Sequence, residues 1–339
     1  MRHVAVMGGG SWGTAFAMVL ADAGNEVVMW ARQPAVVEAV RDRHENPGYH
    51  PGITLSTAIT ATQSSQEALR GADTVVLAVP SQTLRAHLAV WSQEFGPEAV
   101  LISLLKGIEL RSSLRMSQVT AEVTGIPPER IAVISGPNLA HEIAERQPAA
   151  TTVACPDPDV AQRIADDCTT DYFRPYWTTD VVGTELGGAV KNVIALANGM
   201  AVGMGAGENT QASLITRGLA EMSRLGAAMG ANPLTFLGLA GIGDLVATCS
   251  SPLSRNRSYG VLLGQGLTTA EADAATTQTC EGVKSCQPIL ELARAHGVEM
   301  PITEQVVRVV HDGVPPMVAL VQLMNRATKS EAGGEPEDS

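Results

Sequence analysis

The chain has 339 residues, 45 % of them hydrophobic and 17 % charged, with a formal net charge of −12 at pH 7. That length accommodates two domains and a core large enough to need no disulfide staples. The acidic balance argues against nucleic-acid binding, which needs a surplus of Lys and Arg, yet is compatible with a local basic pocket for a small anion.

Residues 3–8 read as a short apolar strand that runs into the glycine loop Gly8-Gly9-Gly10-Ser11-Trp12-Gly13. An apolar helix over 14–23, a break at Gly24-Asn25 and a second strand over 26–30 complete a β-turn-α-β unit. In such a loop Gly8, Gly10 and Gly13 serve a tight turn, close approach of the backbone to a diphosphate, and helix–strand packing. The helix N-terminus then turns N–H groups toward the phosphates. A structural turn would have similar letters, but the complete βαβ setting favours a dinucleotide. An acidic residue after the second strand would mark NAD; Trp30-Ala31-Arg32-Gln33 has none. Arg32 is suited to a 2′-phosphate, which points to NADPH, or to NADPH and NADH alike; the plain alternative is a surface charge.

Buried-type strands follow at 74–79, 100–104, 131–134 and 149–154, with helical segments between them. This alternation predicts a parallel sheet covered on both faces, a Rossmann-type doubly wound α/β domain. After residue 183 helical stretches dominate, parted by glycine-rich joints such as 238–243. The expected division is a dinucleotide-binding domain over 1–183, an all-helical substrate-binding domain over 184–328, and a disordered acidic tail over 329–339. Cys155, Cys168, Cys249, Cys280 and Cys286 show no Cys-x-x-Cys spacing, so buried thiols are expected and no metal site. Neither a signal-peptide core nor a long apolar run is evident, and the expected compartment is the cytoplasm.

Lysine is scarce: Lys106, Lys191, Lys284 and Lys329 are the four among 23 basic residues. Lys191 lies alone in the apolar segment 187–198, seven positions before Asn198 and so on the same helical face. A snorkelling surface role and a proton-transfer role are both open to it, since a desolvated amine can pass a proton to a carbonyl oxygen. Lys106 and Gly136 follow predicted strands, where ligands of doubly wound sheets bind. Ser254-Arg255-Asn256 offers a hydroxyl, a guanidinium fork and an amide suited to phosphate, a set that an ordinary polar loop also contains. Asp244, after Gly241-Ile242-Gly243, reads either as a helix cap or as a group that orients Lys191 or a substrate hydroxyl.

Together these motifs resemble the bacterial NAD(P)-dependent glycerol-3-phosphate dehydrogenases over about residues 3–325. The resemblance is carried by Gly8 to Ala15, Leu105-Lys106-Gly107-Ile108-Glu109, Ser135-Gly136-Pro137-Asn138-Leu139-Ala140, Val190-Lys191-Asn192, Thr216-Arg217-Gly218, Gly238 to Leu245, Ser254-Arg255-Asn256 and Glu281-Gly282-Val283. It implies reversible reduction of dihydroxyacetone phosphate to sn-glycerol 3-phosphate, a phospholipid precursor, by a homodimer. It also implies a helical domain like the C-terminal one of 6-phosphogluconate dehydrogenase. By the resemblance Lys191 is the general acid/base. Lys106, Gly136, Asn138, Asp244, Ser254, Arg255 and Asn256 surround the substrate with it. The cofactor is met by Ser11, Trp12, Arg32, Lys106, Ala140, Arg255 and Glu281, and more weakly by Gln33, Tyr49 and Thr279. Three positions depart from the family pattern: Asn138 replaces Ser or Thr, Gln33 a frequent Arg, and Thr279 an apolar residue.

Overall fold

A computed structural model describes residues 2–276 and 280–327; Thr279 and the expected tail at 329–339 lie outside the described residues. The strands are β1 His3–Met7, β2 Glu26–Trp30, β3 Glu45–Asn46, β4 His50–Thr54, β5 Ile59–Thr62, β6 Thr74–Leu77, β7 Val100–Ser103, β8 Ile131–Ser135, β9 Ala149–Ala154 and β10 Phe173–Thr178. The helices of the first half are α1 Ser11–Asp22, α2 Pro34–Arg43, α3 Ser65–Leu69, α4 Leu84–Trp91, α5 Met116–Thr124, α6 Ala140–Ala144 and α7 Pro158–Asp167. Those of the second half are α8 Val181–Gly203, α9 Glu208–Ala228, α10 Asp244–Ser250, α11 Arg255–Gly264, α12 Thr269–Ala275, α13 Glu281–Ala295, α14 Pro301–Asp312 and α15 Pro316–Met324.

Eight strands form one sheet in the order β10-β9-β8-β7-β6-β1-β2-β5. Helices cover both faces, so the central strands are apolar without alternation. In β1, Val4 and Val6 pack with Phe16 and Leu20 of α1, whereas Ala5 and Met7 pack with Leu84 and Leu88 of α4 and Met116 of α5. Because β1 sits between β2 and β6, the chain order reverses beside it. The carboxyl ends of β1 and β6 therefore flank the crevice where such folds take their ligand.

The alternation predicts a wholly parallel sheet, but β8 and β9 run antiparallel. The linking helix α6 has five residues and rises only about 7 Å. It is too short to carry the chain back along β8 for a parallel return. Two strands and a hairpin escaped the sequence pattern. Edge strand β10 contains Pro175 and leaves Tyr176 and Trp177 about half exposed, which an edge position tolerates. Short β5 and the β3–β4 hairpin lack any apolar run.

From Val181 the described residues are helical. The axis of this half is α8, buried on nearly every side because α9, α10, α11, α13 and α14 surround it. Its contact with α11 is backbone to backbone. A Cβ on Gly199 would lie 2.1 Å from the Arg257 carbonyl oxygen, and one on Gly260 2.3 Å from that of Leu196. The halves are pinned together where the Arg115 guanidinium and both donors of Ser117 meet the buried Glu185 carboxylate of α8. Among the described residues no helix is long and apolar enough to cross a membrane, and the five cysteines are buried and free.

Candidate active site

Strand β1 delivers the chain into the glycine loop at the crevice. Gly8 has φ +146°, and a Cβ there would lie 2.4 Å from the Ala78 carbonyl oxygen; one on Gly13 would lie 2.0 Å from that of Gly8. Gly10 differs: beyond its chain neighbours, a Cβ there would meet no atom of the described residues within 4 Å. Helix α1 begins at Ser11, earlier than the pattern suggested, and its N-cap makes no side-chain hydrogen bond. A helix leaves its first N–H groups without intrahelical partners, and with Gly10 as the cap no side chain of that residue takes one, which suits the diphosphate of a dinucleotide. Trp12, in that first turn, keeps a buried Nε1 without a partner among the described residues.

Arg32 and Gln33 are exposed just beyond β2, where the Arg32 carbonyl accepts from Gln63 Nε2 at 3.1 Å. Tyr49 lies half-buried in the turn of the β3–β4 hairpin, and Ala140 opens α6. Glu281 opens α13 and accepts a 2.6 Å hydrogen bond from Ser81 of the sheet half.

The decisive cluster lies between the halves. Lys106, just after β7, and Lys191, in the middle of α8, both reach Asp244 at the start of α10. Lys106 Nζ stands 2.6 Å from Asp244 Oδ2 and 3.0 Å from the Gly136 carbonyl oxygen. Lys191 Nζ stands 2.9 Å from Asp244 Oδ1 and 2.6 Å from Thr248 Oγ1. Lys191 and Asp244 are only 7 % and 2 % exposed. Two of the three donors on each ammonium are thereby committed to described residues, and a third is left for a ligand oxygen. Burial pushes Lys106 down to about 8, with Asp244 opposing and the Lys191 charge assisting. Asp244 thus serves the lysines, as no side chain caps α10. Asn198 shares Lys191's face, as its spacing implied, and bonds the Cys249 carbonyl of α10 at 3.0 Å.

Ser254 caps α11, accepting from Arg257 N at 3.2 Å, which places Arg255 and Asn256 in the first turn of that helix. Asn256 Oδ1 accepts from Cys280 Sγ and from Gly282 N, each at 2.9 Å, so its amide hydrogens face away from α13. One of them meets Asn192 Oδ1 at 2.9 Å. On the sheet side, Asn138 Nδ2 bonds Thr151 Oγ1 at 2.9 Å while its Oδ1 is buried without a partner among the described residues.

Sequence reasoning missed Thr248 and Asn192. The first lies four residues after Asp244, one helical turn along the same face, and the second adjoins Lys191; both signals were readable once Lys191 was suspected.

Residues 3–161 match the N-terminal family NAD-dependent glycerol-3-phosphate dehydrogenase, and residues 180–321 match its C-terminal counterpart. The chain belongs to the NAD-dependent glycerol-3-phosphate dehydrogenase family. It is 62 % identical over 327 residues to a glycerol-3-phosphate dehydrogenase (NAD(P)+) of Streptomyces griseus, covering 96 % of this chain and 97 % of that one. It is 61 % identical over 335 residues to the enzyme of that name from Thermobifida fusca, covering 98 % and 100 %. The crystal structure of glycerol-3-phosphate dehydrogenase from Coxiella burnetii superposes with a TM-score of 0.91 at 35 % identity, covering 96 % of this chain and 99 % of that one.

Proposed function

We propose that this protein catalyses reversible reduction of dihydroxyacetone phosphate to sn-glycerol 3-phosphate, the precursor of glycerophospholipids, with NADPH or NADH. The observation that carries the reading is the convergence of Lys106 and Lys191 on Asp244, in the crevice that the glycine loop opens. A nicotinamide cofactor held by the glycine loop would supply the hydride that reduces the ketone. Lys191 gives its proton to the C2 oxygen as charge develops there, and takes it back in the reverse direction. Asp244 and Thr248 hold the Lys191 ammonium in place for that transfer. Lys106, with Gly136 and Asn138, lines the other side of the substrate. Arg255, with Ser254 and Asn256 at the N-terminus of α11, binds the phosphate and so positions the carbonyl from a distance.

On the cofactor, Gly8, Gly10, Ser11, Trp12 and Gly13 would hold the diphosphate and Arg32 a 2′-phosphate, with Gln33, Tyr49, Ala140 and Glu281 around them. A second reading gives the proton transfer to Lys106, whose displacement toward pH 8 favours it. By the resemblance we add a homodimer in the cytoplasm. The exposed Met317, Val318, Val321 and Met324 of α15 would suit such an association. Loss of nicotinamide absorbance, followed with dihydroxyacetone phosphate and each reduced cofactor, tests the activity. No oxidation of either cofactor would sink it, and turnover of a 3-keto acid instead would place the chain among β-hydroxy acid dehydrogenases.

A further inference from the structure

The β3–β4 hairpin is not part of the β-turn-α-β unit that makes the glycine loop, yet it grips that loop. Asn46 and His50 are cross-strand partners on the hairpin, and both are fully buried. Asn46 Nδ2 donates to the Gly9 carbonyl oxygen at 3.2 Å and to Thr14 Oγ1 at 2.8 Å. His50 Nε2 lies 2.8 Å from the Ser11 carbonyl oxygen. The two carbonyls held are those on either side of Gly10, the residue with open space beside it.

We propose that the hairpin is a clamp that fixes the glycine loop for the cofactor diphosphate, with Asn46 and His50 as its positioning residues. A carbonyl oxygen accepts only, so His50 must keep its proton on Nε2, and the two amide hydrogens of Asn46 are spent on Gly9 of the loop and Thr14 in the first turn of α1. Neither side chain can be turned around without breaking a bond. Asn46 Oδ1 and His50 Nδ1 are left buried without partners among the described residues, so the grip is made at the expense of two unsatisfied atoms. Burial also holds His50 below the ordinary histidine range, against the opposing pull of the Ser11 carbonyl and with help from the charge of His141. His141 faces His50 from α6, ring planes 3° apart and centroids 6.3 Å apart. Fixing two carbonyls around Gly10 fixes the peptide planes between them, and with those the direction of the N–H groups that meet phosphate. Misplacement of such groups by about 1 Å costs on the order of 100-fold in function.

The clamp rests on the reading that the glycine loop seats the diphosphate, and Gly10→Ala tests that reading alone. If Gly10→Ala binds NADPH normally, the seat is elsewhere and the underlying reading fails. The clamp itself is tested by isosteric pairs, with folding followed by thermal melting and cofactor affinity by NADPH fluorescence. His50→Gln places an amide nitrogen where Nε2 lies and is expected to keep the wild-type KM for NADPH. His50→Asn reaches only as far as Nδ1, and Asn46→Asp sets a carboxylate against the Gly9 carbonyl. Both are expected to raise the KM for NADPH about tenfold or more, with kcat and the KM for dihydroxyacetone phosphate within about twofold of wild type. Should those two fail to fold, Thr14→Val removes one acceptor of Asn46 without changing shape and is expected to raise the same KM about two- to fivefold. Equal NADPH affinity in His50→Asn and His50→Gln, or an unchanged KM in Asn46→Asp or in folded Thr14→Val, overturns the clamp.

Discussion

Lys106 and Lys191 hold the two oxygens of one buried carboxylate from opposite halves of the molecule. Asp244 Oδ2 is 2.6 Å from Lys106 Nζ and Oδ1 is 2.9 Å from Lys191 Nζ. Two ammonium groups close together repel, and both are desolvated. The shared carboxylate offsets that cost and holds both ammonium groups between the halves.

Replacing Lys191 by Met removes the proposed proton donor while keeping the stem that packs in α8. Turnover is expected to fall by about 10²–10⁴-fold with NADPH affinity nearly unchanged. Steady-state kinetics beside NADPH fluorescence titration checks this. If Lys191→Met turns over well and Lys106→Met does not, the proton passes through Lys106.

The dependence on pH should follow Lys106. Its folded value of about 8 lies below its ordinary 10.5, so its ammonium is present below pH about 8 and lost as pH rises through it. Substrate binding through that charge should weaken accordingly, with kcat/KM for the ketone declining above pH about 8. In Lys106→Arg, which stays charged throughout, the decline should vanish whatever the absolute rate.

Gly10 and Gly13 separate binding from folding. Gly10→Ala adds a methyl group where, beyond its chain neighbours, no atom of the described residues lies within 4 Å, in extended backbone that any residue adopts. The variant should melt like wild type and bind NADPH poorly. Gly13→Ala drives a Cβ to 2.0 Å from the Gly8 carbonyl oxygen and should lower the melting temperature as well. Equal stability in the two variants would contradict this.

Stability should carry the mark of Glu221. From α9 its carboxylate accepts from Ile302 N at 2.6 Å and Thr303 N at 3.2 Å, capping α14 from outside. Burial raises it from 4.5 to about 7, the hydrogen bonds opposing. The folded state therefore holds a proton between those values that the unfolded chain has released. That contribution is complete below pH about 4.5 and lost as pH rises through about 7. Urea melts from pH 5 to 8 should show the decline, and Glu221→Gln should flatten it.

Specificity at the adenosine end turns on Arg32. Arg32→Ala should raise the KM for NADPH by about tenfold and leave that for NADH within about twofold. A parallel rise in both would mean that Arg32 stacks on adenine rather than pairing with a 2′-phosphate.

The sequence by itself determined the first βαβ unit, the buried central strands, the helical second half and the candidate lysines. Those features are written in near neighbours: a run of apolar residues, a glycine spacing, a lone charge in an apolar helix. It left undecided whether Lys191 snorkels and whether Asp244 is a cap, because each answer depends on residues far along the chain. Only folding places Lys106, Lys191 and Asp244 together, across separations of 53 to 138 positions. The same holds for the antiparallel β9, decided by how short a helix precedes it, and for Asn46 and His50. Nothing in Asn46-Pro47-Gly48-Tyr49-His50 signals a grip on the glycine loop, since a hydrogen bond to a backbone carbonyl leaves no pattern in the sequence of the residue that accepts it.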